Sequence, residues 1–135
     1  MESKAVNIKK GPMREFTILV ADDDEGICES LSGIFEDEGY KVLKASYCEE
    51  TLMVLKVHMP DLILLDSWLS DIDGTQILKE IKGINPDIPV IMMLEQRNME
   101  LAVKAIHMGA YDLLEKPFSL EKVLLCIKRA LKENS

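Results

Sequence analysis

The stretch ILVADDDEG, residues 18–26, joins four apolar residues to three aspartates and a glutamate. A continuous apolar run that contains β-branched residues is typical of a strand covered on both faces. Carboxylates that follow such a strand repel one another, and burial makes each of them costly to keep ionised. The acidic cluster is therefore either a solvated turn or a site to which a positive charge belongs.

Strands of this kind alternate with helical segments along the whole chain. We predict strands at residues 16–21, 40–45, 61–66, 88–94 and 111–116, and helices at residues 26–39, 48–58, 74–84, 98–109 and 119–133. Short buried strands joined by helices of about three turns require right-handed crossovers, which make the strands parallel and cover both faces of the sheet. The predicted fold is α/β, a doubly wound five-stranded parallel sheet with five helices.

Composition limits the class of protein. The chain has 135 residues, of which 47% are hydrophobic and 30% charged, with a net charge of −8. Residues 1–15 carry four basic and two acidic side chains and are interpreted as a flexible leader before a single domain at residues 16–133. The domain is more acidic than the chain as a whole, so direct nucleic-acid binding is not expected.

Membrane insertion and disulfide bonding are not expected either. The apolar runs are too short to span a membrane, and the N-terminus is too polar for a signal peptide. The three cysteines are far apart and form no CxxC pair, which predicts reduced thiols in a cytoplasmic protein.

Charged side chains lie at the end of four predicted strands or directly after it. Asp22 and Asp23 follow the first strand, Asp66 ends the third, Glu95 follows the fourth and Lys116 ends the fifth. In doubly wound sheets the ligand crevice lies at the carboxyl ends of the strands. Hard carboxylate ligands suit Mg²⁺, and a carboxylate beside Mg²⁺ and a lysine can accept a phosphoryl group because both cations neutralise the oxygens.

Four blocks resemble the signatures of one family. ILVADDDEGI (18–27), PDLILLDSWLSDIDG (60–74), IPVIMML (88–94) and GAYDLLEKPFS (109–119) are similar to the successive motifs of the response-regulator receiver domain of bacterial two-component systems. SGIFEDEGYKV (32–42) and the Trp-Leu pair after the central aspartate are most similar to the NtrC/NtrX branch of σ54-dependent regulators. The resemblance implies the flavodoxin-like strand order 2-1-3-4-5.

The resemblance also implies roles for individual residues. Asp66 matches the aspartate that takes a phosphoryl group from a sensor histidine kinase or a phosphotransfer protein. Asp22, Asp23, Asp66 and the backbone carbonyl of Trp68 match the ligands of Mg²⁺. Lys116 matches the lysine that pairs with the acceptor and then with the phosphoryl oxygens. Such a domain is a phosphoacceptor rather than an enzyme, and at most assists its own phosphotransfer and dephosphorylation.

Two further expectations concern the neighbours of these residues. The peptide bond between Lys116 and Pro117 is expected to be cis, as the resemblance implies. Asp24 and Glu25 lie beyond the metal-binding pair and are interpreted as residues that solvate the turn and cap the first helix.

Three switch positions depart from the family's pattern. Leu94 stands where the family has Thr or Ser, Glu95 where it has a small residue, and Leu113 where it has an aromatic; in addition, Ser70 stands where Pro is common. The residues for acceptance are all present, but the hydroxyl that senses the phosphoryl group is absent. Loss of one charged hydrogen bond removes about 1.5–3 kcal/mol of coupling. The alternative is therefore a pseudo-receiver, a protein-interaction or dimerisation module independent of phosphorylation.

A dimer surface also follows from the resemblance. The face formed by the fourth helix, the fifth strand and the fifth helix, roughly residues 98–108, 111–115 and 119–132, is the family's usual output or dimer surface. Leu113 is expected to lie exposed at its centre and to favour a homodimer whose formation does not depend on phosphorylation.

Two other classes of protein are disfavoured: one shares the strand-end aspartate and the other shares the fold. A haloacid-dehalogenase-type phosphatase needs a second aspartate two residues after the first, where this chain has Trp68. A flavodoxin needs a Ser/Thr/Gly loop after the first strand to hold the flavin phosphate, and the acidic loop found here would repel it.

Overall fold

A computed structural model of the chain describes residues 15–70, 72–95 and 98–132. The elements among them are β1 (Thr17–Ala21), α1 (Glu25–Asp37), β2 (Lys41–Ala45), α2 (Cys48–His58), β3 (Leu62–Asp66), β4 (Trp68–Leu69), β5 (Ile72–Asp73), α3 (Gly74–Ile84), β6 (Val90–Leu94), α4 (Met99–His107), β7 (Asp112–Glu115) and α5 (Leu120–Leu131). Residues 1–14 of the expected leader and residues 71, 96, 97 and 133 of the expected domain lie outside the described residues. No helix within the described ranges is long and apolar enough to cross a membrane.

Five strands form one sheet in the order β2-β1-β3-β6-β7, and every neighbouring pair is parallel. Counted within this sheet alone, the order is 2-1-3-4-5, so the predicted doubly wound fold is confirmed. Each of the ten predicted elements is present, with ends that differ by no more than two residues from the prediction. The switch in strand order falls between β1 and β3, which sets the position of the crevice.

Two hydrophobic clusters pack on the two faces of the sheet, which explains why the central strands are apolar along almost their whole length. All five residues of β3 and all five of β6 are buried. Alternate side chains of these strands point to opposite faces. One cluster joins the sheet to α2, α3 and α4, for example through Leu55, Ile77 and Ala105. The other joins it to α1 and α5, for example through Phe35 and Ile127.

The predicted helix ends are also found. Asp24 is the N-cap of α1 and accepts a hydrogen bond from the backbone N–H of Ile27 at 3.2 Å, and Glu25 is the first residue of the helix. Ser119 caps α5 in the same way. Gly39 follows α1 with φ 92°, a conformation that glycine adopts without strain.

A short antiparallel ribbon of β4 and β5 is absent from the sequence prediction. It pairs Trp68 with Asp73 and Leu69 with Ile72, and Ser70 in its turn has φ 49°. Each strand has only two residues, too few for a period to be detected in the sequence. The ribbon connects the end of β3 to the start of α3, so it lies immediately after Asp66.

The three cysteines are buried and carry free thiols, as predicted. Burial raises the pKa of each thiol, and a neighbouring acidic side chain raises it further: Asp22 beside Cys28, Glu80 beside Cys48 and Asp112 beside Cys126. These thiols are therefore neutral parts of the core rather than reactive groups.

We predict that Gly74→Ala lowers the free energy of unfolding by about 1–3 kcal/mol. A Cβ at Gly74 would lie 2.6 Å from the backbone oxygen of Asp66 and 2.9 Å from Cα of Ser67, and backbone atoms cannot move aside cheaply. Gly83→Ala in the same helix is the matched control, because nothing lies within 4 Å of its Cβ position. It is expected to raise stability by up to about 1 kcal/mol. Urea unfolding of both variants measures the difference, and equal stabilities would show that this close contact is absent.

Candidate functional site

Three carboxylates meet at the carboxyl edge of the sheet. Asp22 follows β1 and Asp66 ends β3; these strands are neighbours, and the two residues are 1% and 4% exposed. Asp23, the next residue along the chain, is exposed. One carboxylate oxygen from each of the three residues lies within 4.8 Å of the others. The structure therefore brings together the three aspartates that the sequence suggested as metal ligands.

Lys116 places a positive charge against this cluster. Its backbone N–H donates to the carbonyl of Leu94 at 2.7 Å, which fixes the residue beside the end of β6. Its Nζ donates to Asp22 Oδ2 at 3.0 Å, to Asp66 Oδ1 at 3.4 Å and to Glu95 Oε2 at 3.3 Å. An ammonium group has three N–H donors, and each of them has a carboxylate partner here.

Burial and charge shift the pKa values of this group. Burial, and next the charge of Asp22, raise the pKa of Asp66 to about 6, although Lys116 acts in the opposite direction. Burial alone lowers the pKa of Lys116, but its hydrogen bond to Asp22 and the charges of Asp66, Asp22 and Glu95 outweigh burial, so the pKa lies above its ordinary value. Lys116 is therefore charged at neutral pH, and Asp66 becomes fully ionised only near neutrality.

Asp23 is held from a different part of the chain. Its Oδ2 accepts a hydrogen bond from the backbone N–H of Ser70 at 3.1 Å, and the Ser70 hydroxyl donates to the carbonyl of Ser46 at 2.8 Å. This link between distant segments is not predicted from the sequence. The sequence feature that allows this link is Ser70 at a position where the family commonly has proline. Proline has no N–H to donate and cannot adopt the positive φ found there.

The residues present fit a bound Mg²⁺. The donor set consists of hard carboxylate oxygens from Asp22, Asp23 and Asp66, which Mg²⁺ prefers. Against these three negative charges, Lys116 supplies only one positive charge, so a divalent cation would restore the balance. Trp68 begins β4 two residues after Asp66, and its proposed ligation through the backbone carbonyl stays a prediction.

The atypical switch residues lie at the carboxyl end of β6 and within β7. Leu94 is the buried last residue of β6, and Leu113 is paired with Met92 in the sheet. The expectation that Leu113 is exposed is wrong: it is partly buried and packs against the cluster that α2, α3 and α4 cover. The exposed apolar side chains of α4 are instead Met99, Val103 and Ile106, whose spacing places them along one side of the helix.

A cavity of about 710 Å³ opens beside the site. Its walls come from α1 and from the segment that leads into α5, and they include Ile34 and Phe118. Glu95 and Lys116 line the end next to the carboxylates. The peptide bond between Lys116 and Pro117, which also lines the cavity, is cis, as the sequence resemblance implied.

Comparison with known proteins gives consistent matches. Residues 18–128 match the family model described as the response regulator receiver domain. The nitrogen assimilation regulatory protein NtrX of Azorhizobium caulinodans is 41% identical over 116 residues, and the match covers 84% of this chain and 26% of that protein. The chain spans about a quarter of the length of the curated relatives it matches.

Two solved structures are similar along most of this chain. The receiver domain of NtrX from Brucella abortus has a TM-score of 0.82 and 40% identity, and the match covers 86% of this chain and 98% of that one. The beryllofluoride-activated NtrC4 receiver domain dimer has a TM-score of 0.82 and 44% identity, and the match covers 88% of this chain and 98% of that one.

We predict that Asp66→Asn stabilises the metal-free protein at pH 7. The folded state holds the Asp66 proton more tightly than the unfolded state, because its pKa is about 6 rather than 3.8. Stability that is present below pH 4 is therefore lost as the pH rises through about 6. Asparagine carries no charge and avoids this loss, so the gain is about 1–3 kcal/mol at pH 7 and approaches zero near pH 4.

Urea unfolding with EDTA at both pH values measures this effect. The control is Asp37→Asn, which removes an exposed aspartate of α1 and is expected to change stability by less than about 0.5 kcal/mol. An Asp66→Asn protein that is less stable than wild type at pH 7, or a difference that does not depend on pH, would contradict the prediction.

Proposed function

Because the chain belongs to the response regulator receiver domain family, we propose that it accepts a phosphoryl group on Asp66 from a sensor histidine kinase or a phosphotransfer protein. Its similarity to the NtrX and NtrC4 receivers confirms the resemblance to the NtrC/NtrX branch. One observation carries the proposal: a buried carboxylate, Asp66, lies beside two further aspartates and accepts a hydrogen bond from the Nζ of Lys116.

The transfer that we propose is a direct displacement at phosphorus. A carboxylate oxygen of Asp66 attacks the phosphorus of the donor's phosphohistidine, the P–N bond breaks, and its electron pair stays on the histidine nitrogen. Asp66 becomes an acyl phosphate. Its pKa of about 6 leaves it mostly ionised at neutral pH and therefore nucleophilic. Lys116 donates to the phosphoryl oxygens and stabilises their charge as the transfer proceeds.

A resident Mg²⁺ belongs to this proposal. Asp22, Asp23, Asp66 and the carbonyl of Trp68 would hold it. When bound, it would supply positive charge that neutralises the oxygens in transfer. Lys116 lines the cavity beside α1 and α5. We propose that the phosphodonor protein docks there, since this surface presents apolar side chains such as Ile34 and Phe118 together with the lysine that contacts Asp66.

We propose that the signal is relayed weakly beyond the site. Leu94 ends β6 next to Lys116 and has no hydroxyl that could bond to a phosphoryl oxygen. Leu113 is partly buried against the core, and a leucine has no polar tip with which to exchange between buried and exposed positions. The surface formed by α4, β7 and α5 then keeps nearly one conformation in both states of Asp66.

These leucines favour a second candidate function, a pseudo-receiver that binds partners or itself independently of phosphorylation. The apolar stripe of Met99, Val103 and Ile106 on α4, with exposed fractions of 76%, 52% and 48%, supports such a contact surface. The similar NtrC4 receiver was solved as a dimer in its beryllofluoride-activated form, which supports dimerisation but not its independence from phosphorylation. We propose that this chain forms a homodimer through the surface formed by α4, β7 and α5.

Acceptance by Asp66 is tested by intact mass after incubation with acetyl phosphate and Mg²⁺. Wild type is expected to gain one phosphoryl group and Asp66→Asn none. Asp24→Asn is the matched control; it changes the exposed helix cap beside the site and is expected to be labelled like wild type. Asp23→Ala is expected to reduce both labelling and the Mg²⁺-induced change in Trp68 fluorescence. Labelling of Asp66→Asn at another residue would refute the assignment.

Weak relay predicts a dimer affinity that depends little on phosphorylation. Sedimentation with and without beryllofluoride and Mg²⁺ is expected to give dissociation constants within tenfold of each other, a difference below about 1.4 kcal/mol. Ile106→Asp on the α4 stripe is expected to weaken the dimer in both states. Val57→Asp on α2, which also changes an exposed apolar residue, serves as the control and is expected to leave it unchanged. A larger shift with beryllofluoride would reveal a working switch.

A further inference from the structure

The ammonium group of Lys116 has its full number of hydrogen bonds within the described residues. Three carboxylate oxygens surround Nζ, from Asp22 at 3.0 Å, Glu95 at 3.3 Å and Asp66 at 3.4 Å. The Lys116 side chain is only 10% exposed, so water has little access to it. A phosphoryl oxygen can bond to this lysine only if one of the three carboxylates gives up its place.

The three carboxylates differ in how easily they can leave. The side chains of Asp22 and Asp66 are 1% and 5% exposed, whereas that of Glu95 is 67% exposed. Asp22 also accepts a hydrogen bond from the backbone N–H of Asp24 at 2.9 Å, and Asp66 is the acceptor itself. Glu95 can turn into solvent and be hydrated there, while departure of either aspartate would leave a buried charge unpaired.

The sheet fixes the position of the Glu95 backbone. It follows Leu94, whose carbonyl accepts from the Lys116 backbone N–H at 2.7 Å, so the two residues leave neighbouring strands side by side. Glu95 also lines the cavity beside the carboxylates. An incoming phosphodonor therefore meets a negative charge at the point where its own oxygens need Lys116.

We propose that Glu95 is an internal competitor of the phosphoryl group for Lys116, and that it limits how readily Asp66 accepts a phosphoryl group. Its carboxylate occupies a place beside Lys116 Nζ that would be open to a phosphoryl oxygen if residue 95 were small. Acceptance exchanges the salt bridge between Lys116 and Glu95 for one between Lys116 and the phosphoryl group. This inference rests on the proposed function of Asp66, and its test separates the two.

The test measures the initial rate of labelling by acetyl phosphate with Mg²⁺, read by intact mass. Glu95→Gln removes the charge at nearly constant shape, and Glu95→Ala removes the side chain. Both are expected to be labelled about two- to fivefold faster than wild type, the range that loss of a partly exposed ion pair allows. Beryllofluoride, titrated in Mg²⁺ and followed by Trp68 fluorescence, is expected to bind more tightly by a similar factor.

The matched control is Glu115→Gln. Glu115 is exposed, lies one residue before Lys116 and pairs with Leu94 in the sheet, yet it makes no ion pair with Lys116 in the part of the chain that the structure describes. Removal of its charge is expected to leave the rate at the wild-type value. An equal gain in the Glu115 and Glu95 variants would mean a general charge effect and would overturn the inference.

The remaining outcomes are also decisive. Labelling of Asp66 at the same rate in wild type, Glu95→Gln and Glu95→Ala would overturn the competition while leaving the proposed function intact. Slower labelling of the Glu95 variants would overturn it as well and assign Glu95 a supporting role. Absence of labelling in all of them, Glu95→Ala included, would overturn both the competition and the proposed function.

Discussion

The structure depends on the balance of charge around a single ammonium group. Lys116 binds two buried aspartates and one exposed glutamate at the carboxyl edge of the sheet, and this edge is where a doubly wound fold leaves its crevice. The run of three aspartates after β1 is explained by three separate tasks. Asp22 pairs with the lysine, Asp23 faces solvent and is held by the β4–β5 ribbon, and Asp24 caps α1.

The same charge balance separates acceptance from relay. The proposed acceptance needs a nucleophilic carboxylate, further carboxylates that could hold a cation, and a lysine, and the fold places Asp22, Asp23 and Lys116 beside Asp66. Relay needs a group that responds to the new charge, and Leu94 and Leu113 cannot respond in that way. The close-packed cluster against which Leu113 lies resists small movements. Under the proposed function, a phosphoryl group on Asp66 would therefore exert most of its effect on Lys116 and Glu95, close to the site itself.

The sequence predicted the architecture well because its signals are local and repeated. Apolar runs, helical periods and capping residues such as Asp24 each report on their own neighbourhood, and together they determine the sheet. Asp22, Asp66 and Lys116 were expected to meet at one edge because each lies at the carboxyl end of a parallel strand. The strand order and the individual roles came from resemblance rather than from periodicity.

What the sequence did not reveal depends on contacts between distant segments. The hydrogen bond from Ser70 to Asp23 joins residues 47 positions apart, and the ribbon that carries Ser70 is too short to have a period. Leu113 is partly buried because other elements pack on its face of the sheet. The sequence of its own strand does not predict that packing. The contact between Glu95 and Lys116 joins residues that follow different strands, and it is seen only in the structure.

The central claim is that phosphorylation exchanges the partners of Lys116 and changes little elsewhere. A crystal structure of the protein with Mg²⁺ and beryllofluoride tests this most directly. The account predicts that Lys116 Nζ bonds to a fluoride on Asp66, that the Glu95 side chain turns into solvent, and that the backbone of α4 and β7 moves by less than about 1 Å, the range usual for preorganised proteins. A structure in which Glu95 still binds Lys116 while α4 and β7 are displaced would contradict it.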